Sequence, residues 1–253
     1  MKVSVILGCC CGVAVLAGIA GTGRGTIIYQ DTFPGSASAY LAGTKPGTDT
    51  TGSAWVLHGA VTSNSNPNWF ANGGAPAQSF FGSDESLATS FSAGHIYTLS
   101  ATMSPTAGTS SNSGNWFVLG FLDNTYYGNS TTVGPNIVIT DEGGWQLYPG
   151  DVGVSPVASG SGITLGKTAE VVLNTTGAQW TAQWFYDGHS LGTYTYTTTP
   201  TFDGVGIGAY NNQQGTIGNF ELQAVAVPEP TALALGCLAF FGGLLLLRRR
   251  KVL

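Results

Sequence analysis

Between Ile27 and Val225 the chain never sustains the 3.6-residue apolar period of an amphipathic helix. Short runs rich in Val, Ile, Thr, Phe, Tyr and Trp are cut every few residues by Gly, Pro, Asn and Asp, which is the pattern of strands and tight turns. This restricts the body to an all-β fold. A body of about 200 residues is large enough to bury one complete sandwich core, so a single domain over residues 25–225 is the economical reading.

Strands are expected at 27–33, 54–62, 79–91, 95–103, 116–122, 137–140, 145–148, 168–173, 179–186, 189–196, 205–210 and 219–225. Segments 35–52, 64–76, 104–115 and 123–135 read as loops on their Gly, Ser, Asn and Pro content. In Trp116–Leu122 both alternating sets are apolar, so that strand should be central and covered on both faces. Asp187-Gly188 is a two-residue type I′ hairpin signal, and Asp141-Glu142-Gly143-Gly144 should form a second tight turn. Trp180, Ala182, Trp184 and Tyr186 fall on one face of their strand. The β opening, the Trp-x-x-x-Trp-x-Tyr-Asp-Gly hairpin at Trp180–Gly188 and a last strand suited to pair near the first resemble the concanavalin-A/laminin-G jelly-roll sandwich. A fibronectin-like sandwich is disfavoured because it is usually about half this size.

The two ends have a different character. Met1 to about Gly21 reads as a secretory signal peptide helix, with Lys2, an apolar stretch from Val3 to Leu16, and small residues at Gly18 and Ala20. At the other end Val227, Pro228, Glu229 and Pro230 form a stiff linker that resists helix formation. Thr231 to Leu247 then supplies about seventeen uncharged residues, enough for a single short transmembrane helix. Arg248, Arg249, Arg250 and Lys251 follow at once, and the positive-inside rule places them in the cytoplasm and the body outside.

This order, Val-Pro-Glu-Pro followed by a short apolar helix and an Arg-rich end, resembles the PEP-CTERM sorting signal of bacteria over residues 227–253. The resemblance implies a transient membrane anchor, cut near the Pro-Glu-Pro by a membrane-embedded exosortase that carries a cysteine nucleophile. By the same resemblance Pro228, Glu229 and Pro230 are recognition residues. The mature form would then reside at the cell surface or in an extracellular matrix.

Charge and cysteine content exclude several functions. From Gly25 to Val227 twelve acids stand against two bases, Lys45 and Lys167, which leaves the body at −10. Nucleic acid is excluded as a partner, because its binding rests on Lys and Arg contacts. Cys9, Cys10, Cys11 and Cys237 all lie in the ends, so the body has no disulfide, thiolate metal site or thiol nucleophile.

The body lacks the usual catalytic patterns. A glycan hydrolase needs two carboxylates about 5–9.5 Å apart. Of Glu85, Glu142, Glu170 and Glu221 none has Asp two residues on, and the adjacent pairs Asp84-Glu85 and Asp141-Glu142 read as turn residues. His58, His95 and His189 are too scattered for a zinc site. Neither a metal site nor another cofactor is assigned, with calcium left open through Asp123, Asn124, Asp141 and Asp151 in loops.

Aromatics remain. Trp116, Trp180 and Trp184 lie in strands and belong to the core, while Trp69, Tyr126, Tyr127 and Tyr210 lie in or beside loops rich in Asn and Gln and are candidates for stacking on sugar rings. The expectation is an exported, non-enzymatic surface or matrix protein, partnered by an exosortase, the membrane and, as candidate ligand, an extracellular polysaccharide. A divergent polysaccharide hydrolase or lyase and a purely structural matrix protein are the alternatives. Mass spectrometry of the mature protein should show loss of the residues beyond about Pro230; a mature chain still ending at Leu253 would refute the sorting assignment.

Overall fold

The computed structural model describes residues 25–33, 39–58, 70–72, 75–78, 84–106, 116–122, 134–150, 155–210 and 214–227. The leader, the tail beyond Val227, and the segments carrying Trp69, Tyr126 and Tyr127 lie outside them. The described residues hold no helix. Seventeen strands run in order: β1 Thr26–Asp31, β2 Ala39–Tyr40, β3 Thr48–Asp49, β4 Val56–His58, β5 Phe70–Asn72, β6 Ala75–Gln78, β7 Asp84–Ala88, β8 His95–Thr106 and β9 Trp116–Leu122. They continue with β10 Asn136–Thr140, β11 Trp145–Tyr148, β12 Ala158–Gly160, β13 Lys167–Asn174, β14 Thr181–Tyr186, β15 His189–Thr195, β16 Gly204–Tyr210 and β17 Gln214–Ala226.

The strands form two antiparallel sheets. One has ten strands, ordered β15-β14-β13-β8-β17-β6-β5-β2, with β1 on β17 and β3 on β1. The other has seven, ordered β12-β11-β10-β9-β16-β7-β4. The all-β sandwich expected from the sequence is therefore present, and its first and last strands pair, with Thr26 opposite Ala224 and Asp31 opposite Phe220.

Period-2 alternation decides what each strand buries. Tyr97, Leu99, Ala101 and Met103 of β8, and Ala169, Val171 and Leu173 of β13, face the second sheet and are fully or almost fully buried. Ala182, Trp184 and Tyr186 of β14 do the same, so the aromatic face expected of that strand is core. Phe117, Leu119 and Phe121 of β9, with Val205, Ile207 and Ala209 of β16, meet them from the other side. As expected, β9 is covered on both faces: Val118 and Leu122 belong to a second buried cluster with Val138 and Tyr148, against which Trp116 packs.

Turn chemistry fixes two hairpins. Asp187 and Gly188 both take positive φ, 50° and 76°, which is the type I′ geometry that matches strand twist. Gly143 takes φ 75° in the turn between β10 and β11, and the Gly144 N–H donates to Thr140 Oγ1 at 2.9 Å.

Three expectations need correction. Segment 35–52 contains the short strands β2 and β3, and 64–76 contains β5 and the start of β6, where only loop was expected. Their Gly, Pro and Asn content hides them, because such strands are set by their partners: β3 by β1, and β6 by Thr216 and Ile217 of β17. Asp84 and Glu85 begin β7 and are not turn residues.

Phe121 sits between Phe91 and Phe202, with ring centroids 5.3 and 5.7 Å away. Phe121→Ala should cost about 3–5 kcal/mol in chemical denaturation by leaving a cavity between the sheets. A loss below about 1 kcal/mol would show that β9 is not the centre of the core.

Candidate functional site

Register places six residues across the outer face of the seven-stranded sheet in one row: Tyr148, Asn136, Gly120, Gly206, Ser86 and Val56. The next row is Gln146, Val138, Val118, Gly208, Asp84 and His58. At the rim Tyr210 stands opposite Trp116, and Trp116 opposite Thr140. The middle of this face is thus glycine and valine, flanked by amide and phenol groups on β10 and β11.

Asn136 organises the polar flank. Its side chain is fully buried and leans over Gly120, where a Cβ would come within 2.3 Å of the Asn136 Cβ, so that position admits only glycine. Nδ2 donates to the carbonyls of Gly134 and Gly150 at 3.2 and 2.8 Å, tying the entry of β10 to the exit of β11. Oδ1 is buried with no hydrogen-bond partner, which leaves an acceptor uncompensated. Beside it Tyr148 Oη donates to Gln146 Oε1 at 2.6 Å, and burial raises the Tyr148 pKa.

The outer face of the ten-stranded sheet carries a row that single-strand spacing cannot reveal: Glu170, Ser100, Glu221 and Gln30 on four successive strands. Two strand spacings put Glu170 and Glu221 about 10 Å apart at their Cα atoms. Glu221 accepts the Gln30 Nε2–H at 2.9 Å on one oxygen and a short bond from Gln223 Nε2 on the other. Burial raises the Glu170 pKa.

A third carboxylate is wholly internal. Asp31, 1% exposed, accepts Trp55 Nε1–H at 2.8 Å on Oδ2 and the Phe33 N–H at 2.6 Å on Oδ1. The second bond holds Phe33 at φ 55°, a left-handed conformation rare for an aromatic. Trp55 packs edge-on against Phe220 at 5.0 Å, so Asp31 clamps the 33–55 segment onto β1 and β17. Burial raises the Asp31 pKa, with the Trp55 and Phe33 bonds opposing. Its sequence signal was half legible: Asp two residues before Phe33 is an Asx turn, but nothing local names Trp55.

Of the residues expected to stack on sugars, Trp69, Tyr126 and Tyr127 lie outside the described residues, and Tyr210 is the last residue of β16, at the strand end expected from the sequence. Trp184 is buried as expected, while Trp116 and Trp180 are partly buried. The sorting residues Pro228, Glu229 and Pro230 and the basic cluster Arg248, Arg249, Arg250 and Lys251 lie outside the described residues; Val227 is the last one within them and is exposed. Asp123, Asn124 and Asp151 also lie outside, and Asp141 is in the β10–β11 turn. Among the described residues no group of three or more His, Cys, Asp or Glu converges as a metal site. His95 stacks on Tyr97 at 5.6 Å, with Nδ1 2.9 Å from the Ala93 carbonyl, and His189 is exposed on β15.

No protein-family model and no curated protein matches this chain. Solved structures do. An endo-1,3-beta-glucanase from Streptomyces sioyaensis aligns over 84% of this chain and 100% of its own at 12% identity, with a TM-score of 0.55. The carbohydrate recognition domain of Emp47p aligns over 79% and 98% at 12% identity and a TM-score of 0.45. A galectin-like protein of unknown function from Bacillus subtilis aligns over 79% and 97% at 12% identity and a TM-score of 0.47. At such identities the likeness defines the sandwich fold and leaves the ligand open.

The Asp31 clamp makes a signed prediction. A carboxyl whose folded pKa is raised contributes stability that is full below its unfolded value, near 3.9, and is lost as pH rises through the folded value. The midpoint of the native protein relative to Asp31→Asn should therefore be highest near pH 3 and decline toward pH 7. A difference that is flat or rises with pH would overturn the assignment.

Proposed function

We propose that this chain is an exported, non-enzymatic β-sandwich that binds a neutral polysaccharide at the cell surface or in an extracellular matrix, delivered there by its PEP-CTERM-type tail. The observation that carries the reading is the likeness, over most of the chain, to an endo-1,3-beta-glucanase, combined with the central rows of the seven-stranded sheet. There Gly120, Gly206, Val118 and Val138 stand in register with no acid among them, and Asp84 is the one acid in these two rows, beyond Gly208. That floor is itself buried, so a ligand would meet the partly buried Trp116, with Tyr210 opposite it in register, and the partly buried Gln146 at its margin, where indole and amide supply stacking and hydroxyl-binding chemistry. The −10 charge of the body favours an uncharged glycan over an acidic one.

Sedimentation of the mature protein with insoluble β-1,3-glucan tests the reading. Tyr210→Ala should weaken retention about tenfold, or ~1.4 kcal/mol, with the thermal midpoint unchanged. Retention by neither this glucan nor a panel of neutral glycans would leave the structural matrix role. Release of reducing ends would instead make the protein a hydrolase, and Glu170 and Glu221, which share one row, would be the first carboxylates to replace.

A further inference from the structure

Among the described residues five strands pair on one side only: β2, β3, β4, β12 and β15. Four of these are two or three residues long, while β15 runs for seven. A long unpaired edge presents a row of free N–H and C=O groups to any other extended chain, and such edges are blunted by Lys, Pro or inward charges. The sequence of β15, His-Ser-Leu-Gly-Thr-Tyr-Thr, has no Lys, Arg, Pro or carboxylate. Its one irregularity is the bulge at Leu191, between Ser190 opposite Phe185 and Gly192 opposite Trp184, so the regular edge begins at Gly192.

The direction of the free groups follows from one bond. The Tyr196 N–H donates to the Trp180 carbonyl at 2.9 Å, so alternation along the antiparallel ladder makes Tyr194 with Ala182, and Gly192 with Trp184, hydrogen-bonded pairs as well. Thr193 and Thr195 lie between them, and their N–H and C=O groups therefore point away from β14. Both threonines are exposed. Tyr194 lies on the core side, partly buried and edge-on to Tyr196 at 5.1 Å, which leaves apolar surface open beside the free backbone groups. From Thr181 to Thr201 there is one acid, Asp187, and no Lys or Arg, and Asp187 is paired with Lys167 at 3.6 Å.

We infer that β15 is an assembly edge, where two copies of this chain pair antiparallel about a two-fold axis at Tyr194 and join their ten-stranded sheets into one. In that register Thr193 of each copy meets Thr195 of the other, and every outward N–H and C=O of the four threonines is bonded. Tyr194 then faces Tyr194 across a non-hydrogen-bonded pair, with Cα atoms about 4.5 Å apart, and each ring covers the apolar surface that the other leaves open. An axis at Thr193 would bring the bulge at Leu191 into the ladder, and one at Thr195 would need residue 197, beyond the end of β15. The partner is a second copy because the edge is its own complement: the same two threonines supply both sides. Each Asp187 lies beyond the paired stretch, so a body carrying −10 meets its copy along this hairpin without facing carboxylates. The inference stands apart from the glycan reading and does not need it.

The test uses the full chain in detergent solution with Cys9, Cys10, Cys11 and Cys237 replaced by Ala. Under mild oxidation Tyr194→Cys should give a disulfide-linked dimer, because a non-hydrogen-bonded pair brings the Cα atoms within disulfide range. Thr176→Cys, in an exposed turn away from β15, should stay monomeric. In sedimentation equilibrium of the otherwise native chain, Thr193→Lys and Thr195→Pro should each weaken dimerisation at least about tenfold with the thermal midpoint unchanged. A native chain that stays monomeric up to about 200 μM, or a dimer that survives both substitutions, would overturn the inference. Equal cross-linking at 176 and 194 would do the same. A disulfide from Tyr194→Cys to a different co-purifying protein, with none between copies, would overturn the two-fold pairing and give the edge to another strand.

Discussion

The antiparallel ladder of β17 is the constraint on which the rest of the sandwich depends. This strand pairs with β8 from Gln214 to Ala226 and on its other side divides its edge between β6 and β1. The change of partner occurs at a one-residue bulge between Gly218 and Glu221, where Asn219 takes φ 50° and its amide reaches Thr102 Oγ1 at 3.3 Å. Without that bulge the alternation would not carry both Ile217 and Phe220 into the core. Pairing of the first strand with the last also makes the contacts non-local, so the sheet closes only after nearly the whole body has emerged.

Packing carries the stability that disulfides supply in many exported domains. All four cysteines lie outside the body, and the one ion pair among the described residues, Lys167 with Asp187 at 3.6 Å, is exposed on both sides and contributes little. The compensation is aromatic. Phe91 contacts Tyr97, Phe121 and Phe202 at 5.0–5.3 Å, and Trp55 joins Phe33 to Phe220, so two ring clusters hold the sheets together at separate points. The second cluster includes Asp31, a buried acid kept in place because it satisfies two donors that would otherwise be orphaned.

The two outer faces divide the polar chemistry. On the seven-stranded sheet, glycine and valine form a buried layer bordered by Asn136, Gln146 and Tyr148, while on the ten-stranded sheet Glu170 and Glu221 share a row with Ser100 between them. Gln30 and Gln223 each donate to Glu221, which fixes that carboxylate as an acceptor in the row.

Local information was enough for the β class, the hairpin at Asp187-Gly188, the inward face of Trp184 and Tyr186, and the two-sided burial of Val118 and Phe121, because period-2 alternation and left-handed turn residues act within a few positions. It also exposed the contrast between an acidic, cysteine-free body and an apolar, basic tail. It could not show β2, β3, β5 and β6, whose residues are in strands because β3 pairs with β1, β6 with β17, β5 with β6 and β2 with β5. Nor could it show that Glu170 and Glu221 share a row, that Asp31 meets Trp55, or that Tyr210 closes a strand opposite Trp116. Those relations are set by register between strands distant in sequence, a quantity that no window along the chain contains and that packing of the two sheets alone decides.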